Sequence, residues 1–463
     1  MTANVTCSLS NSCGNHRHNR RKSPVNTRHL LNRNTSFRRK MSSQVRLRLL
    51  PRARCMFDEP VQVKVAGLRS RQMVTLRARS TDEKGVVFSS SATFRADGSG
   101  QIDLERDPSL GGTYTGVEPM GLLWSMRPDT LHKRFQRTKS LNPHMVKISV
   151  HDQEKEEGRI LAEATNERLL IGDGVIRRTV REGNIRGVLF TPPGEGPFPA
   201  VLDLYTSGGG LSEKRASLLA RRGFVVLTVA LYGNSDMSRN IREIHLDYLE
   251  EALEFLKKQY KVGGKGVGVI SISKSGDLAL SMASYLQGVE AVVWINGCSA
   301  NTLLPLYYQK SQILPPLMVD LSKLIPTESE AFNGKKVMND PLAEENEATL
   351  IPVERAEGRL LFVASEDDLN WDSTAYVDMM VERLQRHGKD NFETVCYPGA
   401  GHYLEPPYGP YCPSSFHAVA GGPVLWGGEA RSHAAAEVHL WKKIQEFFRA
   451  HLSCDATQTK AKL

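Results

Sequence analysis

Residues 267–278, VGVISISKSGDL, join a predicted strand to a predicted helix through a turn that contains three serines. The first six residues carry no charge and are mostly β-branched, as expected of a strand that is buried on both faces of a parallel sheet. The helix that follows has an apolar face with Leu278, Leu280 and Met282, and Gly288 is placed to end it as a C-cap glycine. This pattern predicts a nucleophile elbow, a tight turn that raises one hydroxyl to the carboxyl edge of a sheet.

The middle serine, Ser273, is the predicted nucleophile. Ser271 still belongs to the strand and Ser275 to the first helical turn, so we expect both side chains to point into neighbouring backbone. These two positions are glycine in the usual G-x-S-x-G motif, whereas here glycine comes one residue late, at Gly276. The motif alone therefore leaves an alternative open, namely a serine-rich structural turn without catalytic function.

The chain around this turn alternates short apolar segments with amphipathic ones, beginning after the Gly/Pro cluster at 191–197. This alternation predicts a mostly parallel sheet flanked by helices, an α/β-hydrolase domain, over residues 186–453. The predicted strands are 200–205, 224–230, 266–272, 291–295, 360–364 and 394–397. The predicted helices are 211–222, 240–260, 275–287, 372–387 and 433–452. Residues 298–350 lack strong periodicity and are interpreted as an irregular insertion that covers the site and, together with loops, builds the substrate pocket.

The preceding region, residues 56–185, shows two-residue alternation and glycine turns, with no convincing helix. Its predicted strands are 61–65, 73–78, 86–94 and 145–150. Several half-buried strands of this kind predict a β-sandwich. The sequence therefore predicts an N-terminal β-sandwich followed by an α/β-hydrolase domain.

Two more predicted strands end beside residues that complete a catalytic set. The strand 360–364 runs into Asp367 and Asp368, and the strand 394–397 runs into a turn that ends in His402. A serine hydroxyl needs an imidazole to take its proton and a carboxylate to hold that imidazole in the right tautomer. The order serine, acid, histidine is that of the α/β-hydrolases. Taken singly, the acids fit a solvated loop and the histidine a surface turn; together they favour a triad.

A glycine-rich loop follows the first strand of the predicted domain, with the sequence YTSGGG at 205–210. We expect backbone N–H groups of Ser207 and Gly208, together with that of Lys274 just after the nucleophile, to form an oxyanion hole. A flexible turn with no catalytic role is the alternative.

The positive charge of the chain is concentrated at its beginning. Residues 1–57 contain 13 Lys and Arg and no Asp or Glu, so the net charge of +9 becomes −4 for residues 58–463. The body is therefore not expected to bind nucleic acid. Residues 1–55 are predicted to be a disordered basic leader whose composition resembles a transit peptide, with a basic tail without an address as the alternative and Met41 as a second candidate start.

Seven cysteines show no paired spacing, and their odd number argues against a fully bridged secreted protein. No apolar run approaches the roughly 20 residues that a membrane-spanning helix needs. We expect no cofactor, no metal site and no membrane span, and a monomeric protein.

Long blocks of the sequence resemble the acyl-CoA thioesterases of the bile acid-CoA:amino acid N-acyltransferase group, from about Asp58 to Leu452. The resemblance implies a β-sandwich, an α/β-hydrolase domain and hydrolysis of fatty acyl-CoA to free acid and CoA. It assigns Ser273 as nucleophile, Asp368 as acid and His402 as base. The blocks are 58–60, 104–106, 116–124, 273–278, 280–284, 295–297, 351–357, 367–368, 401–403, 405–408 and 426–429.

The sequence departs from the family at the elbow, where Ser271 and Ser275 stand in place of glycine. This departure predicts a more crowded turn and lower turnover. Two other functions stay open: transfer of the acyl group to glycine or taurine, for which the transferase branch uses a cysteine nucleophile, and non-catalytic acyl-CoA binding. Serine at position 273 favours hydrolysis.

The last three residues, Ala461-Lys462-Leu463, resemble the peroxisomal signal S-K-L and form the end of a tail predicted over 454–463. The expected location is therefore the peroxisome, with the mitochondrion, indicated by the basic leader, and the cytosol as alternatives.

Overall fold

The computed structural model describes residues 44–136, 140–153, 158–205, 211–233, 237–238 and 241–452. The N-terminal region follows the predicted alternation. In the strand Met73–Thr81, the buried positions are Val74, Leu76, Ala78 and Ser80, and the residues between them are more exposed. A period of two is what a strand requires when one of its faces lies on a core.

The described residues of the N-terminal region form ten strands and one helical turn. In chain order they are β1 (Arg46–Leu50), β2 (Arg54–Met56), β3 (Gln62–Ala66), β4 (Met73–Thr81), β5 (Val87–Arg95), β6 (Ile102–Asp103), β7 (Gly111–Gly112), α1 (Gly121–Trp124), β8 (Arg127–Pro128), β9 (His144–Asp152) and β10 (Ile160–Leu169). They form a sheet of order β1-β3-β6 and a larger one of order β2-β10-β9-β4-β5-β7, with β8 on β5. Buried residues of both sheets, such as Val63 and Leu76, belong to one hydrophobic cluster.

Two details of this region differ from the sequence-based prediction. Strands β1 and β2 lie within the predicted leader, and β1 pairs with β3 over Arg46 to Leu50, so ordered structure begins before residue 55. The single turn α1 is a helix where none was predicted. All four of its residues are buried, and such a short segment has no helical periodicity to read. Residues 1–43 of the predicted leader and the predicted tail 454–463 lie outside the described residues.

The second region is built on an eight-stranded sheet. Its strands and the intervening elements are β11 (Ile176–Val180), β12 (Gly187–Thr191), β13 (Phe198–Leu204), α2 (Lys214–Arg221), β14 (Val225–Val229), β15 (Ile244–His245), α3 (Leu246–Lys257), β16 (Val262–Ile272), α4 (Ser275–Tyr285), β17 (Val289–Ile295), β18 (Leu306–Tyr308), β19 (Ser311–Leu314), β20 (Ile325–Pro326), β21 (Phe332–Asn333), β22 (Arg359–Ser365), α5 (Ser373–Arg386), β23 (Phe392–Tyr397), β24 (Ser414–His417), β25 (Gly422–Leu425) and α6 (Ala430–His451).

The sheet order is β11-β12-β14-β13-β16-β17-β22-β23. Pairing is parallel from β14 to β23 and antiparallel at the β11 and β12 end. All five residues of β14 are buried, because helices cover both faces of the sheet. The predicted α/β-hydrolase architecture is confirmed, with each predicted strand and helix present within a few residues of its expected bounds.

Residues 298–350 are less irregular than predicted. They contain the short strands β18 to β21, and β18 and β19 join β15 in a three-stranded sheet. Strands β20 and β21 join β24 and β25, which come from a distant part of the chain. Pairings over two to four residues leave no readable period, so these strands could not be predicted from the sequence.

Asp58 connects the two regions. Its side chain, 1% exposed, accepts hydrogen bonds at Oδ2 from Arg222 (2.6 Å from Nη2) and from Nε1 of Trp441 (2.8 Å). A buried carboxylate held by a guanidinium and an indole N–H is a charge-assisted contact of fixed geometry. No helix of the described part of the chain is long and apolar enough to cross a membrane.

Candidate active site

The turn at Ser273 joins the end of β16 to the start of α4. Ser273 has a φ of +60°, a conformation that costs energy for a residue with a side chain. Its backbone N–H donates to the carbonyl of Ile295 at the end of β17 (2.9 Å), and its own carbonyl accepts from the N–H of Gly276 (2.8 Å). Neighbouring backbone therefore holds the strained turn, which is the geometry of a nucleophile elbow.

The side chains of the two flanking serines point into neighbouring backbone, as predicted, and the lower turnover expected from them stays a prediction. Ser271 Oγ donates to the carbonyl of Val293 on the adjacent strand (3.1 Å). Ser275 Oγ lies 2.8 Å from the carbonyl oxygen of Leu204 and accepts from the N–H of Ile272 (3.1 Å). Both hydroxyls are satisfied by backbone, and the Ser275 side chain fastens the elbow to the end of β13.

The predicted base and acid meet the nucleophile in one hydrogen-bonded chain. The Nε2 atom of His402 lies 2.9 Å from Oγ of Ser273, and its Nδ1 atom lies 2.8 Å from Oδ2 of Asp368. Asp368 and His402 are fully buried, and Ser273 is 6% exposed. The second oxygen of Asp368 accepts the backbone N–H groups of Asn370 (2.9 Å) and Trp371 (3.0 Å), which fixes the carboxylate.

Asp367 and Asp368 have different environments in the structure. Asp367 is exposed, and its backbone N–H donates to the carbonyl of Ala400 (3.1 Å). Adjacent residues that leave β22 point in different directions, and only Asp368 turns its carboxylate to His402. The structure thus brings together the three residues that the sequence singled out.

Lys274 follows the nucleophile and immediately precedes α4. Backbone N–H groups at a helix N-terminus lack intrahelical acceptors and carry partial positive charge, so this end of α4 suits an oxyanion near Ser273. The Lys274 ammonium points to Asp277 (2.6 Å) and is itself buried. The other two predicted donors, Ser207 and Gly208, lie outside the described residues.

A cavity of about 1730 Å³ opens at Ser273 and Lys274. Residues 298–350 contribute less to its walls than predicted, with only Leu303 and Leu304. About half of the lining comes from the N-terminal region around 82–86 and 132–136, from β11 and β12, and from residues 415–419. Long-range packing of the two regions forms these walls, and no local pattern encodes it. Among the described residues, no group of three or more His, Cys, Asp and Glu could hold a metal ion.

Comparison with known proteins shows which family this chain belongs to. Residues 58–182 match the model described as "Acyl-CoA thioester hydrolase/BAAT N-terminal region", and residues 244–454 match "BAAT / Acyl-CoA thioester hydrolase C terminal". Human "Acyl-coenzyme A thioesterase 2, mitochondrial" is 46% identical over 87% of this chain and 84% of its own length. The chain belongs to the acyl-CoA thioester hydrolase/BAAT family.

Two further members of this thioester hydrolase/BAAT family are similar along nearly their whole length. Mouse "Acyl-coenzyme A thioesterase 5" is 44% identical, over 90% of this chain and 99% of its own. Mouse "Peroxisomal succinyl-coenzyme A thioesterase" is 41% identical, over 89% and 98%. The resemblance drawn from the sequence blocks is confirmed.

Asn296 is a residue of the candidate site that the sequence-based prediction did not include. It follows β17 with a φ of +46°, and its buried Nδ2 donates to the backbone carbonyl of His402 (2.8 Å) and to Oγ of Ser365 (3.0 Å). The amide thus ties the base loop to the ends of two strands. The block 295–297, quoted for the resemblance, was the signal that could have drawn attention to it.

Two tryptophans flank the imidazole of His402. The ring of Trp426 stacks at 5.6 Å between centroids with an interplanar angle of 19°, and that of Trp371 stacks at 6.3 Å and 29°. Such stacking restricts the imidazole to the orientation that serves both hydrogen bonds. Nearby, burial and the proximity of His402 lower the pKa of His417 to about 4, so His417 is neutral at pH 7.

A buried ionic network lies under the base loop. The Glu405 carboxylate accepts from the Tyr205 hydroxyl and lies 2.7 Å from the Lys214 ammonium. Burial alone would raise the pKa of Glu405, but Lys214 and Arg134 outweigh it and lower that pKa to about 2. Tyr205 is the first residue of the segment predicted to supply oxyanion donors, so Glu405 links that segment to the loop of the catalytic base.

Proposed function

We propose that this protein hydrolyses acyl-CoA thioesters to a carboxylic acid and free CoA, through an acyl-enzyme on Ser273. The observation that carries the proposal is the hydrogen-bonded chain of Ser273, His402 and Asp368 at the wall of a large cavity. Membership of a family whose relatives are named acyl-CoA thioesterases supports the substrate class.

In the first half of the reaction, His402 Nε2 takes the proton of Ser273 Oγ while Oγ forms a bond to the thioester carbonyl carbon. Asp368 stabilises the imidazolium and keeps its Nδ1 proton in place. The carbon–sulfur bond of the tetrahedral intermediate then breaks, and the imidazolium proton goes to the CoA sulfur. Free CoA and an ester on Ser273 result.

In the second half, the neutral His402 takes a proton from a water molecule whose oxygen attacks the ester carbonyl. The bond to Oγ breaks, Oγ recovers the proton, and the carboxylic acid leaves. We assign the backbone N–H of Lys274, with donors from the 206–210 loop that includes Ser207 and Gly208, to the oxyanion of both tetrahedral intermediates.

Hydrolysis is favoured over transfer to an amine by the identity of the nucleophile. An acyl-serine is an oxyester that an activated water cleaves, whereas an acyl-cysteine is a thioester that reacts more readily with amines. The chain has serine at position 273. The buried imidazole, which stacks on Trp426, supports activation of a small nucleophile such as water.

Release of CoA from acyl-CoAs of graded chain length, with and without glycine or taurine, tests the proposal. We expect free acid as the main product in all cases, and no CoA release by Ser273→Ala. Conjugates as the main product would assign the protein to the transferase branch. Tight acyl-CoA binding by the unmodified protein without CoA release would make it a binding protein instead.

The place of action in the cell stays a prediction. Relatives are named mitochondrial and peroxisomal, which fits both addresses predicted from the sequence. We propose the peroxisome, on the basis of the Ala461-Lys462-Leu463 tail, or the mitochondrion, on the basis of the leader. Fluorescence microscopy of the full chain with and without residues 461–463 separates the two.

A further inference from the structure

The cavity at Ser273 is larger than the acyl-transfer step requires. Ligand pockets usually occupy about 300–1,000 Å³, whereas this one has about 1730 Å³ and runs from the nucleophile to the N-terminal region. Only the thioester group must reach Ser273. The remaining space therefore receives other parts of the substrate.

The cavity lining is strongly basic, although residues 58–463 have a net charge of −4. Six Lys and Arg line it against two carboxylates, Asp82 and Glu213. A positively charged cleft attracts negatively charged ligands even when the rest of the protein carries a net negative charge. The six cations are Lys84, Lys133, Arg134, Arg177, Arg181 and Lys274.

Both carboxylates are already engaged. Glu213 accepts two hydrogen bonds from Arg177, at 2.6 and 2.7 Å. Asp82 accepts the backbone N–H groups of Lys84 (2.8 Å) and Val86 (2.9 Å), so it shapes the β4–β5 turn. Neither carboxylate is paired with a lysine of the lining.

Lys84 and Lys133 remain as unpaired cations on the exposed side of the cavity. Both are exposed, and within the described ranges neither ammonium has a carboxylate within 4 Å. Their backbones are held together, because the N–H of Glu83 donates to the carbonyl of Gln136 (3.2 Å) and the N–H of Gln136 donates to Asp82 (3.2 Å).

The segment that carries Lys133 is also fixed on its other side. Nδ1 of His132 is hydrogen-bonded to Oγ of Ser414 (2.9 Å), and the Lys133 carbonyl accepts from the Cys412 thiol (3.5 Å). Two ammonium groups therefore project from a preorganised backbone between the N-terminal region and the hydrolase region. Cations carried on a fixed backbone lose less conformational freedom when they bind phosphate than cations on a mobile loop.

We propose that Lys84 and Lys133 bind phosphate groups at the nucleotide end of the CoA moiety while the thioester lies at Ser273. The proposal rests on the proposed function, since CoA supplies both the thioester and the phosphates. It gives the N-terminal region a direct part in substrate recognition.

The test compares two thioesters with the same acyl chain: decanoyl-CoA and decanoyl-N-acetylcysteamine, which has no phosphate. In the double variant Lys84→Ala, Lys133→Ala we expect the KM for decanoyl-CoA to rise at least tenfold at low salt, with kcat unchanged. The KM for decanoyl-N-acetylcysteamine should stay the same. Equal changes for both thioesters, or no change for either, would overturn the proposal.

A matched control removes two lysines that do not line the cavity, Lys258 and Lys442, both exposed. The double variant Lys258→Ala, Lys442→Ala should leave both KM values unchanged. If it raised the KM for decanoyl-CoA as much as the Lys84 and Lys133 substitutions do, the effect would come from net charge alone, and the proposed phosphate site would be refuted.

Calorimetric titration of CoA into Ser273→Ala gives a second readout that needs no turnover. Adding the Lys84 and Lys133 substitutions should weaken CoA binding at least tenfold, and adding the control pair should not. CoA binding that is indifferent to both lysines would refute the phosphate site. If the unmodified protein released no CoA from any thioester, the proposed function would fail, and this titration would still decide the phosphate site.

Discussion

The Nδ2 atom of Asn296 lies 2.8 Å from the backbone oxygen of His402, and the same amide reaches Ser365 at the end of β22. The end of β17 and the end of β22, which leads to the acid, are thereby connected to the loop that presents the base. Asn296 is a positioning residue, since it acts on the reaction through His402.

Replacing Asn296 by alanine should lower kcat about tenfold or more while changing KM little. The lost hydrogen bonds are buried and worth about 1–3 kcal/mol, and 1.4 kcal/mol of transition-state stabilisation is a factor of ten. The control is Asn391→Ala, since Asn391 also donates to two backbone carbonyls, those of Ala356 and Gly358, away from the site. Both variants should lose stability; an equal fall in kcat would refute a positioning role.

Asp368→Asn should reduce kcat by about 10⁴-fold, the loss found when the acid of a comparable triad is neutralised, because the wrong imidazole tautomer is favoured. Asp367→Asn should change kcat by less than about twofold, since Asp367 is exposed. Steady-state rates of CoA release measure both. A larger effect at Asp367 would show that the carboxylate assignment is off by one residue.

Ser273→Cys should shift the product ratio toward amine conjugates. The acyl-enzyme becomes a thioester, which is more reactive toward glycine or taurine than the oxyester. Chromatographic separation of free acid from conjugate, at fixed amine concentration, gives the ratio. If the variant made only free acid at an appreciable rate, the pocket and not the nucleophile would exclude the amine.

Glu405→Gln should destabilise the protein at pH 7 by on the order of 3 kcal/mol, because the pKa of Glu405 is lowered to about 2 from an ordinary 4.5. A lowered carboxyl pKa stabilises the fold above about pH 4.5, and this contribution is lost as the pH falls toward 2. Urea unfolding from pH 7 to pH 2.5 should therefore show the difference from the unmodified protein shrinking over that window.

The exposed Glu345 provides the matched control. Glu345→Gln should change the free energy of unfolding by less than about 0.5 kcal/mol at any pH in that range. A Glu405→Gln difference that stayed constant down to pH 2.5 would mean that the loss is steric and not electrostatic.

The sequence sufficed for features that local patterns encode. A buried strand, a tight turn and a helix can be read around Ser273, and the places of Asp368 and His402 follow from the ends of neighbouring parallel strands. Asn296 and Trp426 could not be assigned in this way, because their roles depend on contacts in the folded protein. Asn296 and His402, for example, are more than 100 residues apart in the chain.

The substrate cavity was harder still to foresee. The sequence predicts walls from residues 298–350 and from loops, but it does not show that the β4–β5 turn and the 132–136 segment contribute to them. The hydroxyls of Ser271 and Ser275 donate to backbone carbonyls, as predicted for residues that flank the elbow, and their effect on turnover stays a prediction.

The anchor at Asp58 has a consequence for how the molecule melts. One carboxylate of the β-rich region joins it to Arg222 after α2 and to Trp441 on α6, and the described residues from 44 onward belong to one compact unit. Neither region can loosen without depriving the buried Asp58 carboxylate of its partners. Differential scanning calorimetry should accordingly record a single endotherm, and Asp58→Ala should split it into two.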